Sequence, residues 1–181
     1  MKRYVAFLRG INISGKNKIP MADLKAGFEE LGLVEVKTYL NSGNIIFSYN
    51  GSDIKDFSDL LRIMIRHRFS LDIPVLVLLK EELEDILNNA PDWWRSNNKE
   101  IYDNLIFIIP PTTVTEVCAD IGAPKEELEK IKCYKQVIFW SFSRKDYQKT
   151  NWWARTANSK ISNRLTIRTA NTITGLLFKV G

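Results

Sequence analysis

Two short apolar runs, Val34 to Leu40 and Ile45 to Tyr49, are separated by Asn41-Ser-Gly-Asn44. Asn and Gly tolerate the left-handed backbone that a tight turn needs, so the two runs are predicted to fold back on each other as a β-hairpin. What flanks this hairpin repeats on both sides. Before it come a buried strand, Tyr4 to Leu8, and a helix marked by Leu24, Phe28 and Leu31 that stops at Gly32. After it comes a helix from about Asp53, with Ile54, Phe57, Leu61, Met64 and Ile65 on its apolar side and Lys55, Arg62 and Arg66 opposite, followed by a strand from Ile73 to Leu79. Strand, helix, strand, strand, helix, strand is the order of the split βαβ, or ferredoxin-like, unit.

Residues 80–100 hold a short acidic helix and the segment Ala90-Pro-Asp-Trp-Trp-Arg-Ser-Asn-Asn98, read as a linker pinned by Trp93 and Trp94. The order then starts over. A strand is predicted from Asn104 to Ile109, a helix from about Thr113 to Ile121, strands near Ile131 to Tyr134 and Val137 to Phe142, a helix near Trp152 to Ile161, and a short strand from Leu165 to Arg168. Asn171 to Val180 reads as a closing helix capped by Asn171 or Thr172. The expected fold is therefore α+β: two ferredoxin-like (split βαβ) units, the second degenerate, with a C-terminal helical segment. Its divisions are a subdomain over 1–80, the acidic helix and linker over 81–100, and a second subdomain with a basic tail over 101–181.

The net charge of +5 is unevenly spread. Residues 1–20 carry five basic and no acidic side chains, residues 21–130 carry 11 and 20, and residues 131–181 carry ten and one, giving +5, −9 and +9. If the two cationic ends meet, they form a positive face suited to polyanions. Cys118 and Cys133 lack metal-ligand spacing and read as small buried hydrophobes of a chain kept reduced in the cytoplasm. No apolar run approaches the ~18–20 residues that span a bilayer, so neither a membrane span nor a signal peptide is expected. No metal site and no cofactor are expected either.

Gly10-Ile-Asn-Ile-Ser-Gly-Lys-Asn17 follows the first strand and matches seven of the eight positions of G-x-x-x-x-G-K-[ST]. A triphosphate loop, however, ends in a hydroxyl that holds Mg²⁺ and opens a helix at once. Here Asn17 replaces the hydroxyl, and Pro20 favours a helix that starts after it. The antiparallel order also lacks the parallel sheet that carries such a loop. Triphosphate chemistry is set aside. What is kept is a flexible cationic loop, with Arg9, Gly10, Asn12, Gly15, Lys16 and Lys18 as candidate anion ligands.

Four blocks carry a resemblance. Leu8-Arg-Gly-Ile-Asn-Ile-Ser-Gly-Lys-Asn-Lys-Ile-Pro-Met-Ala-Asp-Leu24, Thr38-Tyr-Leu-Asn-Ser-Gly-Asn-Ile-Ile-Phe47, Val137-Ile-Phe-Trp-Ser141 and Thr166-Ile-Arg168 with Asn171-Thr172 resemble the signature blocks of the domain-of-unknown-function family 1697. The resemblance runs over nearly the whole chain. It implies a bacterial, cytosolic protein with an α+β chain of ferredoxin-like parts and no established activity. It also directs attention to Arg9 to Lys18, Asn41 to Asn44 and Thr166 to Thr172. One departure stands out: family members commonly carry Asn directly after the last block's arginine, where this chain has Thr169.

The remaining candidates follow from these segments. Asn41, Ser42 and Asn44 join the ligand-binding set, although Asn and Gly are also what the turn itself demands. Tyr4, Phe7, Phe47 and Tyr49 stand where an RNA-recognition sheet displays stacking aromatics, but the third-strand signature is not met. The stretch from Arg144 to Arg164 interleaves cations with Tyr147, Trp152 and Trp153, and it adds Arg155, Lys160, Arg164 and, beyond it, Arg168. The same stretch also reads as an amphipathic helix with its tryptophans on the sheet. The single histidine, His67, has no nucleophile or carboxylate at catalytic spacing. The leading expectation is a cytoplasmic binding module for a phosphate-bearing ligand, a small molecule or nucleic acid. Its alternatives are an enzyme on a small phosphorylated or nucleotide-like metabolite and a protein-interaction domain.

Overall fold

The computed structural model describes residues 1–52 and 56–180. The chain divides into two compact units, the first reaching Glu84 and including the last residues from Lys179, the second covering Asp85–Phe178. In the first unit the order is β1 (Lys2–Leu8), α1 (Met21–Glu30), β2 (Val34–Tyr39), β3 (Asn44–Tyr49), α2 (Phe57–Phe69), β4 (Val75–Leu79). The four strands form an antiparallel sheet ordered β2-β3-β1-β4, as a ferredoxin-like unit requires. Helix α1 starts after Pro20, the residue that holds its N-terminal boundary in extended backbone. Helix α2 is capped by Asp56, whose carboxylate accepts the Asp59 N–H at 3.1 Å. The expected helix start at Asp53, with Ile54 and Lys55, lies outside the described residues.

Helix α3 (Lys80–Asn88) leads into the second unit, which repeats the plan: β5 (Ile101–Ile108), α4 (Val114–Ile121), β6 (Glu129–Tyr134), β7 (Val137–Ser143), α5 (Asn151–Asn158), β8 (Leu165–Thr169). Its sheet is ordered β6-β7-β5-β8, again antiparallel. The chain closes with α6 (Ala170–Val180). Thr113 caps α4 in a reciprocal capping box with Glu116. The cap of α6 differs from the expected Asn171 or Thr172. It is Thr169, whose hydroxyl accepts the Thr172 N–H at 3.2 Å. Thr and Asn are both favoured cap residues, so the hydroxyl does here what an amide at that position could do.

Strand periodicity assigns the faces. In the first unit Ala6, Leu8, Ile45, Phe47 and Val75 pack under Leu24 and Phe28 of α1 and Leu61 and Ile65 of α2. In the second, Ile106, Ile108, Ile138 and Trp140 pack under Val117 and Ile121 of α4 and Trp152 of α5. The opposite sheet faces are buried too, at Val5, Phe7 and Ile46 in one unit and Leu105, Phe107 and Phe139 in the other. Trp94 meets the Phe139 ring edge-on at 5.1 Å, and its indole N–H donates to the Asn104 carbonyl at 2.9 Å, which anchors the linker on that face.

Candidate functional site

The sequence-derived candidates of the first unit converge because β1 and β3 are antiparallel with Phe7 opposite Asn44, so the end of β1 and the start of β3 share one edge. The Leu8 N–H donates to the Gly43 carbonyl at 2.8 Å, and the Arg9 N–H to the Pro74 carbonyl at 3.0 Å. Asn12 is the brace between them. Its amide nitrogen donates to the Ile19 and Asn41 carbonyls, both at 2.9 Å, and its oxygen accepts the Ile19 N–H at 2.9 Å. The loop is itself a small hairpin: the Asn12 N–H donates to the Asn17 carbonyl, the Lys16 N–H to the Ile13 carbonyl, and the Asn17 amide to the Gly10 carbonyl. Two of the loop's backbone donors, the N–H groups of Asn12 and Lys16, are thus spent inside the loop. Lys16 and Lys18 remain exposed, while half-burial depresses the Arg9 pKa.

The hairpin turn is equally self-contained. The Asn44 side chain is fully buried and donates to the Tyr39 carbonyl and the Ser42 hydroxyl, both at 3.0 Å. Leu40 and Gly43 take the left-handed backbone, with φ of 56° and 77°. A Cβ on Gly43 would lie 2.7 Å from the Leu8 Cβ, so glycine is demanded twice over. The aromatic residues do not form an open stacking platform. Tyr4 stacks on Phe47 at 5.3 Å, Phe57 closes over both from α2, and Phe7 is buried on the other face.

Arg155, Lys160, Arg164 and Arg168 belong to the second unit. Arg155 and Lys160 line a 370 Å³ cavity with Asp120 and Ser159. Arg164 is half-buried just ahead of β8. Arg168 is a core residue, 8% exposed, whose guanidinium donates to the Thr166 hydroxyl and the Ile167 carbonyl at 2.9 Å. Burial pushes its pKa down to about 10, which leaves it charged at neutral pH. In the aromatic part of this stretch, Trp152 is fully buried and donates to the Gly122 carbonyl at 3.0 Å, whereas Trp153 is 43% exposed against Tyr147 and Phe142.

A larger cavity, 720 Å³, lies elsewhere in the second unit, lined by Arg144 and by part of the Thr166–Thr172 segment but by none of the residues named as candidate ligands. Topology creates it. Central strand β5 starts at Ile101, and its antiparallel neighbours β7 and β8 both end beside that start, at Ser143 and Thr169. Arg144 leaves β7, α6 begins at Ala170, and the linker crosses the same end; Arg144, Ala170 and the linker residues Arg95, Asn97, Asn98 and Lys99 line the cavity. Arg144 is positioned by its N–H to the Glu100 carbonyl at 2.9 Å and by its guanidinium lying 4.5 Å from the centre of the Tyr102 ring. Arg95 and Asn97 hold left-handed backbone, with φ of 64° and 62°.

Four charged side chains line this cavity: Arg95, Lys99, Arg144 and Asp103. Asp103 is already engaged, accepting the Ser141 hydroxyl and the Arg95 N–H. None of the three cations makes an ion pair among the described residues. The first turn of α6, with its positive end, faces the same space through Ala170 and Asn171. The volume falls within the range of small-molecule sites. Its cations lie in the linker and after β7 and meet only through strand register, although the Thr166–Thr172 block pointed to the start of α6.

Among known proteins, a family model described as "Protein of unknown function (DUF1697)" matches residues 1–139. No curated protein matches the chain. Among solved structures, the conserved bacterial protein SP0830 from Streptococcus pneumoniae is similar over 99% of this chain and 99% of its own, with 30% identity and a TM-score of 0.81.

Proposed function

The chain belongs to the DUF1697 family of proteins of unknown function, and from that premise we propose that it is a cytoplasmic binding module for a small phosphate-bearing molecule, held in the cavity at the start of β5. One observation carries this reading: Arg95, Lys99 and Arg144, none of them ion-paired, line a single 720 Å³ space together with the first turn of α6. Cations and a helix N-terminus favour the same ligand charge, so their effects add. Two unbonded thiols support a reducing compartment. Among the described residues no helix is long and apolar enough to cross a membrane.

The test is thermal unfolding of the full chain against inorganic phosphate, nucleoside monophosphates and sugar phosphates at physiological salt. A ligand present at about 100 times its Kd adds roughly 2.7 kcal/mol to folded-state stability. The double variant Lys99→Gln with Arg144→Gln should abolish that gain while keeping its own unliganded midpoint near wild type. Stabilisation by short nucleic acids alone, with a steep salt dependence, would replace the small molecule by a polyanion. A panel without stabilisation, or stabilisation unaffected in the double variant, would refute the assignment to this cavity.

A further inference from the structure

Cys118 and Cys133 are the only cysteines of the chain, and both are free thiols. The expectation of two small buried hydrophobes does not describe them: Cys118 is half-buried on α4 and Cys133 is exposed on β6. Helix α4 turns Val117 and Ile121 into the core, which leaves Cys118 on its flank. Strand β6 is the sheet edge beside β7, and Cys133 stands opposite Ile138 there. Fifteen residues apart in sequence, the two Sγ atoms lie 3.8 Å from each other. A disulfide needs an S–S distance of about 2.05 Å. Sulfurs already in contact can reach it largely by side-chain rotation.

We propose that Cys118 and Cys133 are a reversible dithiol/disulfide pair, which a low-molecular-weight disulfide such as oxidised glutathione converts into a covalent link between α4 and the edge strand β6. In the first step one cysteine thiolate attacks a sulfur of oxidised glutathione. A protein–glutathione disulfide forms, the glutathione S–S bond breaks, and one glutathione thiolate leaves and takes up a proton. In the second step the other cysteine, having lost its proton, attacks the protein sulfur of that mixed disulfide. The Cys118–Cys133 bond forms and the second glutathione leaves. Two protein thiols are oxidised and one glutathione disulfide is reduced to two thiols.

Desolvation, then the adjacent Cys118 sulfur, pushes the Cys133 thiol up to about 11, and either sulfur can take the first step because the two are in contact. A reducing glutathione pool keeps the pair open, and a rise in its oxidised fraction closes it. The link also acts on a wider contact. The residues after Cys133, Tyr134 and Lys135, hold the Asp85 carboxylate of α3 at 3.0 and 2.6 Å. Closing the pair therefore restrains the strand end that grips α3.

The experiment treats the full chain with oxidised glutathione, alkylates the remaining thiols, and reads the intact mass. The wild type should lose both alkylatable thiols without retaining glutathione or forming a linked dimer, and dithiothreitol should restore both. Cys133→Ser and Cys118→Ser should each stop at a stable glutathione adduct on the remaining cysteine. The proposal is overturned if the wild type keeps both thiols, accumulates glutathione adducts, or forms disulfide-linked dimers.

Discussion

Replacing Glu129 by Gln tests how the second unit holds α5 to its sheet. Glu129 opens β6 and is 2% exposed. Its Oε1 accepts the N–H groups of Lys125, Asn151 and Trp152 at 3.0, 2.7 and 3.3 Å. Its Oε2 accepts the Trp152 N–H at 3.2 Å and the Trp140 indole N–H at 3.1 Å. No cation pairs with it among the described residues, so the carboxylate is held by N–H dipoles and by the positive end of α5. A hydrogen bond to a charged group contributes roughly 1.5 to 3 kcal/mol, and a favourable partly buried charge at a helix terminus up to about 2.

Gln keeps the shape and one acceptor but turns an NH₂ group toward donors. Glu129→Gln should therefore cost about 2 to 4 kcal/mol. Glu129→Ala, which leaves several buried N–H groups without an acceptor, should cost about 3 to 5. Urea unfolding followed by tryptophan fluorescence is the suitable assay, since Trp140 and Trp152 are both partners of this carboxylate. The midpoint should fall with an unchanged slope. A Gln variant within 1 kcal/mol of wild type (about that margin being the usual effect of one neutral hydrogen bond) would refute the view that charge at Glu129 docks the helix.

Other outcomes follow from single contacts. Gly43→Ala combines a φ of +77° with a 2.7 Å approach to the Leu8 Cβ, and should cost about 2 to 4 kcal/mol in a denaturation midpoint; a neutral result would mean the turn can move away from β1. Four carboxyl groups titrate below their ordinary range: Asp72 through its hydrogen bond with Arg62, Asp85 through those with Lys135 and then Tyr134, Glu116 through the Thr113 N–H, and Asp146 through its hydrogen bond with Lys149. Their folded pKa values lie below the unfolded ones, so their stabilisation is complete above about pH 5 and is lost as pH falls through and below about 4. Denaturation midpoints measured from neutral pH downward should show that plateau and fall, and a flat profile would remove these pairs as contributors.

Much of the fold was legible because its signals are local. Asn and Gly between two strand-forming runs marked the β2–β3 hairpin, Pro20 set the start of α1, and a helix from about Thr113 was expected where α4 begins. The turn shows the limit of such reading: Leu40, no turn former, takes left-handed backbone beside Gly43. Function was less legible. The residues of the Gly10–Asn17 loop suit an anion by type, yet Asn12, Lys16 and Asn17 direct their hydrogen bonds inward. Arg168 reads as a surface cation and is a core residue.

By itself the sequence determined the order of strands and helices and the apolar side of α1 and α2, since these follow from periodicity and turn chemistry within a few residues. Tertiary structure alone decided which distant residues meet. The register of β5 between β7 and β8 brings Arg95, Lys99 and Arg144 to one cavity. The packing of α4 beside β6 brings Cys118 to Cys133, and the docking of α5 brings its first N–H groups to Glu129. Such contacts join segments whose local sequences are unrelated, and only the register and packing of the folded chain set the distances between them.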